Sequence, residues 1–351
     1  MHRRLLPVSI ALVAFFLLPL ISRAHGRWFV EGEHPPTDWS ALASLPVLLA
    51  IGSSIVVVGS LAFAQRTVND PLWPRPLVFQ RLEIAAPAIL GVQTAIALIF
   101  AATQITLFVP NIELPRNAIG VIMAVVAVVA GFSFVTGVRT RVGAMMTIGL
   151  FGAAFTIAPF EQVLEQILFV GISLYLVAVG RGAIRYDGEE EDRTAFSDWL
   201  LPHALTILRI CAGLSVLILA FTEKLLNNDL GVAFLAEYPN FNVPKSIGLD
   251  WFTDERFVYA AGIVEATAGA ALLAGFLPRV VILALWVPFN LGIAFLPPQE
   301  LIGHLPILAT MYVLLVRGTE GVPPPVEDDR GAPAQRPAEH LVKSVSNHSA
   351  R

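Results

Sequence analysis

The chain has 351 residues, 56% of them hydrophobic and 14% charged, against roughly 25% charged in a soluble domain. With a mean hydropathy of +0.70 this is too much apolar mass for one water-facing core, and an all-α, polytopic transmembrane helical bundle is expected. A net charge of −4 and a pI near 6.0 exclude a nucleic-acid binder, which needs clustered cations. A single cysteine, Cys211, leaves no disulfide framework, Cys-x-x-Cys pair or cysteine-ligated cluster within one chain, so electrons for any redox chemistry come from elsewhere.

The first apolar run, residues 5–22, follows His2, Arg3 and Arg4 and precedes Ser22-Arg23-Ala24, a small-x-small context. Residues 1–24 thus read as a secretory signal peptide or an uncleaved signal anchor, and 25–41 as an extracytoplasmic segment. Cleavage after Ala24 would put a free amino group on His25, and amine plus imidazole can chelate copper. With His34 the only nearby further ligand, His25 is a weak metal candidate, and no other metal site is expected. The bland reading seats His25-Gly26-Arg27-Trp28-Phe29 at the membrane interface, where tryptophan is favoured.

Nine further runs follow, at 42–64, 84–108, 118–137, 142–158, 162–180, 201–222, 257–276, 279–296 and 302–316, giving nine or ten spans of about 20 residues each. Alternate threading puts Arg66, Arg75, Arg81, Arg139, Arg141, Arg181, Arg185, Arg193, Arg279 and Arg317 on one side. By the positive-inside rule that side is cytoplasmic, so the protein is expected in the bacterial cell membrane with a cytoplasmic C-terminus. The stretch 319–351 is proline-rich, polar and without apolar periodicity, and reads as a disordered tail.

Two parallel four-helix repeats are expected around an extra helix at 42–64: residues 81–182, a degenerate unit, and 200–318, joined by a cytoplasmic linker at 183–199. Arg81-Leu82 aligns with Arg209-Ile210, Gly131 and Gly137 with Gly269 and Gly275, and Arg181-Gly182 with Arg317-Gly318. Ionisable residues separate the two: Glu265 falls opposite Ala127, and His304 opposite Gln166. The first unit therefore reads as a scaffold and the second as the site.

An ionisable side chain at membrane depth costs about 2.5–3.5 kcal/mol on insertion scales and is paired or faces a cavity. Glu265 is the clearest case, and Arg209, at a similar depth by a rise of ~1.5 Å per residue, is its expected partner. Glu223, Lys224 and His304 lie toward the outer face, with Asn290 as a deeper amide. Such a cluster can bind a polar head group or pass a proton, since histidine titrates near neutral pH. A purely structural ion pair with His304 as an interfacial cap is the equal alternative. Glu161 and Glu165 are expected to be solvated.

Arg209 with Gly213, the helix end Thr222-Glu223-Lys224-Leu225-Leu226, Gly262-Ile263-Val264-Glu265 with Gly269, Gly275 and Arg279, and Gly303-His304-Leu305-Pro306 together resemble the DoxX family of small bacterial four-helix membrane proteins. The resemblance covers about 200–318, with the first half a diverged copy. It implies a redox-associated subunit in which Arg209, Lys224, Glu265 and His304 form a head-group or proton site for a quinone-like lipid-soluble carrier. A membrane or extracytoplasmic redox protein would then be its partner. The alternatives are a small-solute transporter, suggested by parallel repeats, and an assembly protein that docks a secreted partner on the loop from Glu223 to Arg256.

Overall fold

The computed structural model describes residues 37–68, 82–182, 184, 193–293 and 298–318, with side chains throughout except at 67, 68, 287–293 and 298–300. The expected signal segment with His25, most of the 183–199 linker and the 319–351 tail lie outside these residues. Five described helices are long and apolar enough to cross a membrane: Leu45–Arg66, Ala86–Thr103, Ala118–Thr136, Ala195–Leu225 and Asp254–Ala274. Ile167–Val179 and Leu301–Arg317 are shorter apolar helices.

A short 3-10 turn, Trp39–Ala43, is capped by the Asp38 carboxylate and leads into α1 (Leu45–Val68). This helix is apolar all round, and Leu45, Leu49, Ile55, Val56 and Phe63 are exposed on it. A helix of that kind is stable only against hydrocarbon. The next helix, α2 (Ala86–Thr103), leads into a small antiparallel hairpin, β1 (Thr106–Leu107) with β2 (Val109–Glu113). Asn117 caps α3 (Ala118–Thr136) by accepting from the N–H groups of Ile119 and Gly120. Then come α4 (Thr140–Ala154), α5 (Phe160–Glu165) and α6 (Ile167–Val179).

Within the expected linker a Thr194–Ser197 capping box starts α7 (Ala195–Leu200), and the chain climbs through α8 (Ala204–Ala220). Two short helices, α9 (Asn228–Glu237) and α10 (Val243–Ser246), fill the long connection to α11 (Asp254–Ala274). Two further helices, α12 (Pro278–Ile293) and α13 (Pro298–Arg317), complete the bundle.

Each helix of the two sets α2-α3-α4-α6 and α8-α11-α12-α13 packs on the next in its set, and the sets are joined crosswise, α6 on α8 and α13 on α2. On the outer face of α11 lies α1, with Ser53 Oγ 2.7 Å from Thr267 Oγ1 and Gln65 Oε1 accepting the Leu277 N–H at 3.1 Å. With little hydrophobic drive between helices in lipid, close packing of small residues holds such contacts. Gly213 of α8 and Gly269 of α11 show how close: a Cβ on either would lie 2.9 Å from the other's carbonyl oxygen.

Several local geometries recur at an offset of 138 positions. Gly137 and Gly275 end α3 and α11 in the left-handed conformation, with φ of 82° and 77°. Arg139 and Leu277, two residues on, are both left-handed as well, with φ of 51° and 46°. Arg141 Nε donates to the Val177 carbonyl at 2.9 Å, and Arg279 Nε to that of Leu315 at 2.8 Å. The glycines beside these guanidiniums are Gly180 and Gly318, which corrects the expected alignment of Gly182 with Gly318 by two residues.

Candidate functional site

The site is built at the end of α8. Here the helix widens into a π turn, Phe221–Leu225, closed by a Leu226 N–H to Phe221 carbonyl bond of 2.9 Å. Single π turns of this kind recur at functional sites because the extra residue re-aims the side chains around it. Thr222 and Glu223 turn inward, 2% and 4% exposed. Lys224 projects toward α11, where Gly262 makes room for it: a Cβ at Gly262 would lie 3.0 Å from that of Lys224. Glu265 lies three residues further along the same face of α11, and its Oε2 meets Lys224 Nζ at 2.9 Å. The two side chains are 24% and 28% exposed, so the pair is open to a carbonyl or hydroxyl approaching from outside the helix contact.

The first set of helices supplies a third carboxyl. Glu165, at the end of α5, is 2% exposed and accepts from the Thr222 hydroxyl at 2.7 Å, while its backbone carbonyl accepts from Ser215 of α8 at 2.6 Å. The Lys224 ammonium lies within the field of Glu265, Glu223 and Glu165. One turn before Glu165, Glu161 accepts from the Thr37 hydroxyl at 2.8 Å, and the Asp38 N–H donates to the Leu226 carbonyl at 3.2 Å. The segment before α1 is thereby laid across the mouth of the cluster.

Two expectations are corrected. Glu165 is buried against α8, so the first set of helices is part of the site rather than a bare scaffold. Arg209 does not pair with Glu265: its guanidinium donates to the carbonyls of Leu272 and Leu273, the latter at 2.8 Å. The reason is that the last four carbonyls of a helix have no intrahelical donor. Arg209 stands level with that end of α11, two turns (about 10 Å) from Glu265.

The expected pairing of Arg209 with Arg81 falls on Arg81, which lies outside the described residues. Gly131 of α3 faces Ala95 and Ile99 of α2, and Gly269 of α11 faces Gly213 and Leu217 of α8, which puts Gly91 in the place of Arg209. The Arg181 side chain passes beside Gly91, and its Nη2 donates to the Val135 carbonyl at 3.2 Å.

His304 is half-buried on α13, whose main partners are α2 and α12, whereas Lys224 and Glu265 lie between α8 and α11. Asn290 falls within α12, its side chain outside the described set. Among the described residues no group of three or more His, Cys, Asp or Glu is arranged to hold a metal ion. No family model, curated protein or solved structure matches the chain.

Proposed function

We propose that the chain is a polytopic cell-membrane protein of nine or ten spans, with its C-terminus in the cytoplasm, built from two parallel four-helix units. The Lys224–Glu265 pair is its docking and protonation site for the head of a quinone-like lipid-soluble carrier. The single observation that carries the carrier reading is a carboxylate at the middle of a helix apolar enough to cross a membrane, ion-paired to Lys224 with about a quarter of each side chain exposed. A charge at such depth is costly, is therefore paired, and marks a ligand site or an ion path.

The residues fit the head group. The Lys224 ammonium is a donor to a ring carbonyl oxygen, and the Glu265 carboxyl beside it is placed to relay a proton to that oxygen. When bound, the carrier supplies the two-electron chemistry. The chain has no thiol pair of its own, and a partner oxidoreductase brings the electrons. The residues Thr222 to Leu226, Gly262 to Glu265, Gly269, Gly275 and Arg279 support placing the second unit with the DoxX-like proteins. The recurrence at 138 positions supports the duplication.

Binding of ubiquinone-1 to the full chain in detergent, read by quenching of tryptophan fluorescence, tests the reading. A saturable signal that weakens at least tenfold in Glu265→Gln is expected. No saturable binding by the natural chain, or equal binding by the variant, overturns it.

A further inference from the structure

We infer that protons reach the Lys224–Glu265 pair from the end of the bundle where Asp38 and Thr37 lie, along a path that runs through Glu161, Glu165 and Thr222. The inference rests on the proposed role of the pair as a protonation site, and it names the side from which that site is served.

The path is read from its contacts. Asp38 is fully exposed, and the hydroxyl and N–H of Ser40 hold its carboxyl below the usual range, so it stays ionised at the surface as a collecting group. The adjoining Thr37 is buried and its hydroxyl donates to Glu161. Glu161 and Glu165 lie one turn apart on the same face of α5, the spacing at which helical side chains meet. Glu165 in turn accepts from Thr222 at 2.7 Å. Beyond Thr222 stand Glu223 and the ammonium of Lys224, which contacts Glu265. Three carboxyls around one ammonium give an incoming proton several acceptors close to Glu265.

The balance of a transfer is simple. A proton taken up by the Glu161 carboxylate passes to Glu165. The Thr222 hydroxyl holds Glu165 toward the cluster, and Lys224 takes the proton from Glu165 as it gives one to Glu265. One proton enters, one arrives at Glu265, and each intermediate group returns to its starting state.

Toward the other end the Gly213–Gly269 crossing brings the backbones of α8 and α11 into contact and leaves no room for a file of water between these two helices.

The full chain in lipid nanodiscs is exposed to D2O, and exchange of the Glu265 carboxyl is followed by difference infrared spectroscopy against Glu265→Gln. This readout needs no carrier. Glu165→Gln, Glu161→Gln and Thr222→Val should each slow exchange at least tenfold, Thr222→Ser should restore it, and Arg209→Met should leave it unchanged. The path falls if Glu165→Gln and Glu161→Gln exchange at the natural rate. It also falls if Arg209→Met accelerates exchange. Loss of ubiquinone-1 binding with exchange still dependent on Glu165 removes the carrier and keeps the path. The converse result does the opposite.

Discussion

Lys224 Nζ stands 2.9 Å from Glu265 Oε2, joining the turn that closes α8 to the middle of α11. Removing one partner strands the other charge in an apolar bundle, which costs about 3–5 kcal/mol for a fully buried pair. With about a quarter of each side chain exposed, roughly 2–3 kcal/mol is expected for Lys224→Met alone. The double variant Lys224→Met with Glu265→Leu should recover most of that loss. Thermal unfolding in detergent checks this, and a double variant no more stable than either single one would show that the pair is not a self-contained unit.

Arg209 makes the reverse prediction. Its bonds to the Leu272 and Leu273 carbonyls are charge-assisted, worth about 1.5–3 kcal/mol each when intact. Arg209→Met should lower stability by about 2–4 kcal/mol while ubiquinone-1 binding is retained. Its effect should add to that of Glu265→Gln within about 0.5 kcal/mol, as for sites that do not touch. A larger coupling would bring Arg209 back to the carboxylate.

The close helix crossing can be tested by methyl groups. Gly213→Ala and Gly269→Ala each push a Cβ to 2.9 Å from a backbone oxygen, and neither backbone can yield without parting the helices. About 2 kcal/mol of destabilisation is expected for each, the order of an overpacked core. Gly149→Ala and Gly152→Ala meet nothing within 4 Å and should be neutral or gain about 0.5–1 kcal/mol from reduced chain entropy. The measurement is the ratio of folded to unfolded protein across a denaturant series.

Cys211 is buried between α8 and α6, where a Cβ on Gly171 would run into it. A membrane-permeant maleimide should leave the folded chain unlabelled and label it fully in SDS. Gly171→Ala, which forces α6 away from α8, should make the thiol reactive in detergent. Mass spectrometry of the intact chain gives both answers.

Much of this arrangement was legible as residues and little of it as partnerships. Lys224 and Glu265 stand out because charge is rare in this chain, and Gly131, Gly137, Gly269 and Gly275 stand out by spacing alone. The wrong partner for Glu265 came from placing residues by depth, as if all helices ended level. In fact α11 starts about eight residues beyond the turn carrying Lys224, since Gly262 is level with that turn. Glu165 was masked by its apolar neighbours: the run 162–180 reads as one helix, yet it breaks at Gln166 into α5 and α6, and the break turns Glu165 onto Thr222. Its one sequence signal was a carboxylate inside an apolar run, the same signal that marked Glu265. The hairpin after α2 was hidden likewise, because Thr106 to Val109 continues the apolar composition of the helix before it.

On the proposed duplication, the arginines at the ends of α3 and α11 carry a consequence for how the two units diverged. Both helix ends are satisfied by a guanidinium, but one comes from Arg181, after the last helix of its own unit, and the other from Arg209, on the first helix of its unit. The halves are thus no longer interchangeable cassettes. A first helix moved from the leading unit into the trailing one would bring Gly91 and leave the Leu272 and Leu273 carbonyls bare. The reverse move would crowd two guanidiniums onto the end of α3. On the proposed duplication, a compensated exchange of this kind locks the two segments into distinct positions.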